Sequence, residues 1–155
     1  ANKLLSKLYQ RNSENIWYGI AYSQNLQHLT RWDEAEQEYR QLLNLFPYDL
    51  AISLQLLELL KSRKQYGPAL EIARKMENRY SELPVVYAQL TEIYMGLGRP
   101  LQGLISEAQY HRLTGNENRA VKLYDEILAT EGLDISTVSR IEEKRAAIFD
   151  SRKKE

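Results

Sequence analysis

The chain has 155 residues, of which 43% are hydrophobic and 27% are charged, an ordinary balance for a globular protein. Its 21 Lys and Arg residues equal its 21 Asp and Glu residues, which argues against a general nucleic-acid or membrane-surface binder, since such proteins usually carry a basic excess. No apolar run approaches the roughly 20 residues needed to cross a bilayer, and the absence of cysteine excludes disulfide bonds and thiol chemistry within these residues.

Amphipathic helical patterns follow one another along the chain, and no segment alternates like a strand, so the sequence predicts an all-α fold. Residues 3–10 resemble the end of a helix whose start is missing, and we therefore expect the chain to be a piece of a larger protein. This partial helix carries Leu4, Leu5 and Leu8 on one face. Asn12–Asn15 is a polar junction with good N-cap residues before the first full helix.

The stretch 31–47 is the most informative helix of the sequence. Asp33 and Glu34 open it, and carboxylates are favoured at the positive end of the helix dipole. Pro47 is expected to end it. Residues at spacings of four, three and four lie on one predicted buried face: Ala35, Tyr39, Leu42 and Phe46.

Small residues recur at a fixed interval of 34 positions, at Ala35, Ala69 and Gly103, each after a turn and before a helix. Helix–turn–helix content with this period is typical of tetratricopeptide repeats (TPRs). The small residue is needed because the second helix of a repeat crosses the first at close range, and a large side chain would separate them. The sequence therefore predicts a TPR-type helical solenoid, a right-handed superhelix of antiparallel helix pairs.

The period then shifts, because the next small residue of this kind is Ala120, half a repeat after Gly103. Either helix 101–113 serves as the second helix of one repeat and the first of the next, or helix 116–130 lies outside the repeat pattern. We favour the shared helix, because the spacing of a repeat is matched by Ala108, Gly115, Ala120, Tyr124 and Ile127.

A last helix over about 135–151 has one apolar and one charged side, as expected of the unit that caps a solenoid. The predicted organisation is a single TPR domain over residues 1–155. It comprises the partial helix 3–10, repeats at about 16–47, 50–81, 84–114 and 101–131, and the C-terminal capping helix.

Residues that would support catalysis are scarce. The two histidines, His28 and His111, have no second ligand at metal-binding spacing, and there is no phosphate-binding glycine loop or nucleophile motif. The carboxylate pairs Glu34/Glu38 and Glu142/Glu143 are expected to be exposed helix faces. We predict no enzyme activity, no catalytic or metal-binding residue and no cofactor for this chain.

The first helices of the repeats are expected to line a concave groove that binds a protein or peptide. By the 34-residue register, the candidate groove residues are Trp17, Ile20, Gln24, His28, Leu54, Glu58, Lys61, Glu92, Met95, Gln109 and Arg112. Trp17 is equally compatible with a core position. Tyrosines at repeat core positions are predicted to be buried: Tyr22, Tyr39, Tyr94 and Tyr124. The groove lacks the Lys/Asn/Arg set with which chaperone-binding TPR proteins hold a C-terminal carboxylate.

The shifted period followed by a long final helix resembles the C-terminal TPR region of bacterial periplasmic zinc metallopeptidases of the BepA type. The stretches that carry this resemblance are RNSENIWYGIAYSQNL, AQYHRLTGNENRAVKLYDEIL and SRIEEKRAAI. The resemblance implies a periplasmic module that docks on its own protease domain and engages outer-membrane assembly machinery or its substrates. Zinc is then expected only in a separate catalytic domain, because this chain has no H-E-x-x-H motif.

We therefore predict a non-catalytic protein-interaction module with no nucleic-acid partner and no membrane span. The alternative is a TPR scaffold or adaptor that is not attached to a protease and associates with a second copy through its exposed leucines.

Overall fold

The structure, a computed structural model, describes residues 2–12 and 15–152, with side chains described at 4–9, 11–12 and 15–150. Ser13 and Glu14 of the predicted junction lie outside the described residues. Across the described chain the secondary structure is nine α-helices without strands: α1 (Asn2–Arg11), α2 (Ile16–His28), α3 (Trp32–Leu45), α4 (Leu50–Ser62), α5 (Tyr66–Arg79), α6 (Pro84–Gly96), α7 (Pro100–Leu113), α8 (Glu117–Leu128) and α9 (Ile135–Arg152). The predicted all-α class is confirmed.

Several helices begin at side chains that can accept a hydrogen bond from the free N–H groups of the first turn. The Asn15 side chain accepts from Trp17 N at 3.1 Å, and Asp49 Oδ1 accepts from Ile52 N at 2.9 Å. Proline occupies the first turn of α6 and α7. Backbone N–H groups there have no acceptor within the helix, so the missing N–H of proline costs no hydrogen bond. The helix starts therefore follow from local sequence.

The turn that closes each first helix has the same backbone geometry in every repeat. Thr30, Lys64, Gly98 and Gly115 have φ angles of 59°, 57°, 67° and 77°. The residue after each donates its N–H to a carbonyl five positions earlier, at 2.8–2.9 Å, as in a Schellman motif. The first three of these left-handed residues are 34 apart and the fourth follows after 17. The backbone thus repeats the period that the small residues predict, including its half-repeat shift.

Contacts divide the chain into two compact units, Ala1–Arg79 and Tyr80–Glu155. In the first unit each helix from α1 to α5 packs on the next. Ala35 and Ala69 are completely buried, as predicted for helix crossings. A side chain at Gly19 of α2 would place its Cβ 2.5 Å from Leu42 Cδ2 of α3, so the Leu42 side chain would have to move to accommodate it.

In the second unit α7 packs on both α6 and α8, and α8 packs on α9; α8 and helices of the first unit such as α3 likewise pack on both neighbours in the chain, so whether α7 is shared by two repeats stays a prediction. Gly103 is buried, and a Cβ there would lie 3.0 Å from Met95 Cε. Ile141 and Ile148 of α9 are buried in the cluster that contains Ala120 and Tyr124. The predicted capping helix thus covers the apolar face of α8.

Three of the four tyrosines predicted to be core are buried: Tyr39, Tyr94 and Tyr124. Tyr22 differs, because it is half-buried and stacks against Tyr9 of α1, with ring centroids 5.8 Å apart. The partial helix α1 does not cover Tyr22 fully, and the ring consequently forms part of an open wall.

Candidate binding surfaces

The first unit exposes most of the candidate groove residues of α2. Trp17 is 68% exposed, which excludes its alternative role in the core. Gln24 and His28 are also exposed and follow Trp17 at intervals of seven and four, so the three lie along one strip of the helix.

Ile20 is the exception on α2, because it is 7% exposed and belongs to the core. It neighbours the buried residues Gly19 and Ser23, and so lies on the face that α2 turns toward its packing partners. The 34-residue register specifies how far along α2 a residue lies. The rotation of α2 about its own axis decides which way the side chain points, and that of Ile20 points into the core. In this conformation Ile20 is not accessible to a partner.

The strip on α2 is linked to α4 by a side-chain hydrogen bond. Gln24 Nε2 donates a hydrogen bond to Gln55 Oε1 of α4 at 3.1 Å. Further along α4, Glu58 is exposed and Leu54 is half-buried, whereas the Lys61 side chain is only 9% exposed and its Nζ forms an ion pair with Glu58 Oε1 at 2.8 Å. Two successive first helices of this unit are therefore linked at Gln24 and Gln55, and the predicted groove along them stays a prediction.

In the second unit the candidate residues separate into exposed and structural ones. Glu92 is exposed, and Met95 is 45% exposed where its side chain lies over Gly103. Gln109, by contrast, is 6% exposed, and its Oε1 accepts hydrogen bonds from Arg112 Nε and Lys144 Nζ, each at 3.3 Å. Gln109 thus joins α7 to α9, and its position in the packing leaves little of it for a ligand.

A pocket of about 490 Å³ in the first unit is absent from the sequence-based predictions. We call it the Glu38 pocket. It lies among α1, α2 and α3 and is lined by Ser6, Tyr9, Tyr22, Glu38, Gln41, Asn44 and Leu45. Its volume falls within the range of small-ligand sites, about 300–1,000 Å³.

Glu38 was expected on an exposed helix face, and the structure corrects this. Its Oε2 is buried and accepts no hydrogen bond from the described residues. Burial, with a smaller contribution from the Glu34 carboxylate, raises the pKa of Glu38 above its ordinary value. The signal was present in the sequence, because Glu38 lies three residues after Ala35 and four before Leu42, on the same face as these two buried residues.

Within the described chain, no three His, Cys, Asp or Glu side chains group as metal ligands would. Nor does any described helix combine the length and the apolar character needed to cross a bilayer.

No protein-family model and no curated protein matched the sequence. Two solved structures of MamA match the fold. The MamA RS-1 ArsTM double mutant aligns with a TM-score of 0.65 at 17% identity, over 99% of this chain and 86% of that chain. MamA 41-end from Desulfovibrio magneticus RS-1 aligns with a TM-score of 0.64 at 16% identity, over 97% of this chain and 80% of that chain.

The chain has a TPR-type helical fold. At these identities the similarity concerns the fold alone. It supports the predicted fold class and leaves the resemblance to BepA-type metallopeptidases as a prediction.

Proposed function

We propose that this chain is a non-catalytic protein-interaction module that binds a protein or peptide on the exposed faces of its first helices. The observation that carries this proposal is the exposed strip of Trp17, Gln24 and His28 on α2, where Trp17 is 68% exposed and Gln24 is hydrogen-bonded to Gln55 of α4. Exposed tryptophan beside polar groups is typical of the residues that dominate protein interfaces. Rigid helix pairs suit a partner that presents a helix or an extended segment.

Site-specific photo-crosslinking tests this surface and identifies the partner in the same experiment. A photoreactive amino acid replaces Trp17 in cells that produce the protein, and the crosslinked partner is identified by mass spectrometry. The matched control carries the same group at Lys75, an exposed residue of α5. We expect a specific adduct from position 17 and none from position 75.

The partner found in this way is then titrated with the wild-type protein and with Trp17→Ala. Loss of a central aromatic contact is expected to weaken binding about tenfold or more, with an unchanged helical circular-dichroism spectrum. Equal affinities, or the same adducts at both positions, would place the binding surface elsewhere.

The narrower role is that of the partner-recognition region of a periplasmic zinc metallopeptidase acting in outer-membrane protein assembly and quality control. This part of the proposal is supported by the sequence resemblance to the BepA type. The parent open reading frame tests it directly. An upstream H-E-x-x-H motif preceded by a signal peptide would support both the family and the compartment, and a frame without them would reject both.

Self-association is a second candidate function, and it is favoured by the solvent-exposed apolar side chains of α1. Leu4 is 65% exposed and Leu8 is 36% exposed. Sedimentation over a wide concentration range, with Leu4→Glu/Leu8→Glu as the comparison, decides this case. A wild-type dimer that dissociates in the double variant would support it, whereas a monomer at every concentration would exclude it.

A further inference from the structure

We propose that the Glu38 pocket binds an organic cation, a primary ammonium or a guanidinium group on an alkyl chain. The proposal extends the proposed function if the cation belongs to a Lys or Arg side chain of a protein partner. The same chemistry also fits a free amine. The probes below separate these two sources.

The first argument is the contrast between Glu38 and the other glutamates of α3. Glu34 is paired with Arg31. Glu36 is paired with Arg40 at 2.9 Å and with Arg63 at 3.2 Å.

Glu38 instead has a buried oxygen to which no described residue donates, and no described Lys or Arg lines its pocket. A buried carboxylate without a donor is costly, and charge-assisted hydrogen bonds are among the strongest that proteins form. An incoming cation that donates to Oε2 would satisfy this group.

The second argument is the composition of the pocket walls. Tyr9 and Tyr22 form an aromatic pair on one side, and aromatic faces attract cations. Gln41 and Asn44 provide side-chain amide oxygens that can accept from the remaining N–H groups. Leu45 offers an apolar surface for an alkyl stem. Each part of a lysine or arginine side chain thus has a complementary group.

Protonation of Glu38 is the competing way to avoid a buried charge, and the raised pKa agrees with it. Among the residues whose side chains the structure describes, the titratable groups that face Glu38 are Tyr9 of α1, Tyr22 of α2 and Glu34 of α3. None of them is a cation. Binding of a cation must therefore displace the proton from Glu38 and lower its pKa, which makes the two states distinguishable in one experiment.

The experiment is an NMR titration that follows the side-chain carboxyl carbon of Glu38. The peptide-like probes are blocked lysine and blocked arginine, with N-acetyl and N-methylamide ends. Blocked norleucine is the neutral control, and cadaverine represents a free amine. We expect saturable shifts at Glu38 with the cations and none with norleucine, together with a lower Glu38 pKa at saturation.

Variants test whether the response depends on the pocket. Glu38→Gln should weaken cation binding about tenfold or more, because the charge-assisted bond is lost. The matched control Glu34→Gln, on the exposed and paired glutamate, should stay within about twofold of wild type. Amide responses at Ser6 and Asn44 report binding in the Glu38→Gln variant, and its thermal melt confirms that it is folded.

The outcomes are distinct. Tighter binding of blocked lysine or blocked arginine than of cadaverine indicates a partner's side chain. Tighter binding of cadaverine indicates a free amine. Either result supports the proposal that the Glu38 pocket binds an organic cation. Equal responses to lysine and norleucine, or an unchanged Glu38 pKa at saturating probe, would overturn it. These probes need no protein partner, so failure here is separate from failure of the crosslinking at position 17.

Discussion

At the scale of single residues, Tyr39 and Tyr124 occupy equivalent positions, each four residues after the buried alanine of its helix. The Tyr39 hydroxyl accepts a hydrogen bond from Gln27 Nε2 at 2.9 Å. Arg112 occupies the position equivalent to Gln27, but its Nε donates to Gln109 instead. The Tyr124 hydroxyl is buried and makes no hydrogen bond to the described residues. Burial raises the pKa of Tyr39 to about 12 and also raises that of Tyr124.

The two tyrosines should therefore respond differently to loss of the hydroxyl. Tyr39→Phe removes a hydrogen bond and leaves the Gln27 amide without its partner, so we expect a loss of about 1 kcal/mol in the free energy of unfolding. Tyr124→Phe removes a buried hydroxyl that has no bond to the described residues, and is expected to be neutral or stabilising. Urea denaturation of both variants measures the difference. Equal losses would show that the Tyr124 hydroxyl is hydrogen-bonded in solution.

Glu38 predicts a pH dependence of stability. Its pKa is raised in the folded state, so over the range from its ordinary value of 4.5 upward the folded protein holds a proton that the unfolded chain has released. The contribution of Glu38 to stability therefore falls as pH rises through this window. Glu38→Gln removes the dependence and should be more stable than wild type near neutral pH, by about 1 kcal/mol or less because the group is partly solvated.

Denaturation of the two proteins between about pH 4 and about pH 8 checks this expectation. The stability difference should grow in favour of the variant as pH rises. Glu34→Gln serves as the comparison, because the ion pair with Arg31 lowers the pKa of Glu34 and reverses the sign of the effect. A constant difference between Glu38→Gln and wild type would mean that Glu38 does not titrate in this range.

At the scale of helices and turns, the left-handed residues that close the first helices set the repeat geometry. Gly98 has a φ of 67°, and Gly67 lies in the first turn of α5; apart from the adjoining residues of the chain, a Cβ at either would meet no atom within 4 Å. Any difference between alanine substitutions at these two sites must therefore come from the backbone. Lys64 adopts the same conformation with a side chain, so the turn tolerates the strain without requiring glycine.

We expect Gly98→Ala to destabilise the protein by about 1 kcal/mol, because a left-handed conformation is costly for a residue with a Cβ. Gly67→Ala should gain less than the helix-propensity difference of about 1 kcal/mol, because the ring of Pro68 disfavours the helical conformation for a preceding residue that has a Cβ. Thermal denaturation of the two variants measures both changes in stability. A stabilising Gly98→Ala would contradict the assigned turn geometry.

At the scale of the whole molecule, each of the two compact units has its own buried side chains. In the second unit, α9 contributes Ile141 and Ile148 to the core, while Lys144 donates to Gln109 of α7. A terminal helix of a repeat fold must cover the apolar face of the helix before it. The charged outer face of α9 fits that position.

Truncation after Leu133 should therefore weaken the second unit. Loss of two buried isoleucines alone removes about 3–6 kcal/mol of burial free energy. We expect faster amide hydrogen exchange in α7 and α8. Ile135→Ala is the control, because this side chain is 87% exposed and its loss should change stability by less than about 0.5 kcal/mol. Unaltered exchange after truncation would show that α9 does not stabilise this core.

The predicted groove shows where the register of a repeat stops being informative. Trp17, Gln24 and His28 are exposed as predicted, whereas Ile20 and Gln109 are buried. A period of 34 residues specifies the position of a residue along the axis of its helix. The direction of its side chain also depends on how each helix is rotated against its neighbours, and this is decided by the packing of large side chains.

The helices, the turns between them and the small residues at Ala35, Ala69 and Gly103 can be predicted from local sequence patterns, because caps, turns and helix periodicity act over a few neighbouring positions. The pocket lined by Glu38 and the lack of a described partner for the Tyr124 hydroxyl become visible only in the folded chain. Both results depend on side chains that come together from different helices. Burial and hydrogen bonding depend on such distant neighbours, and a local pattern does not specify them.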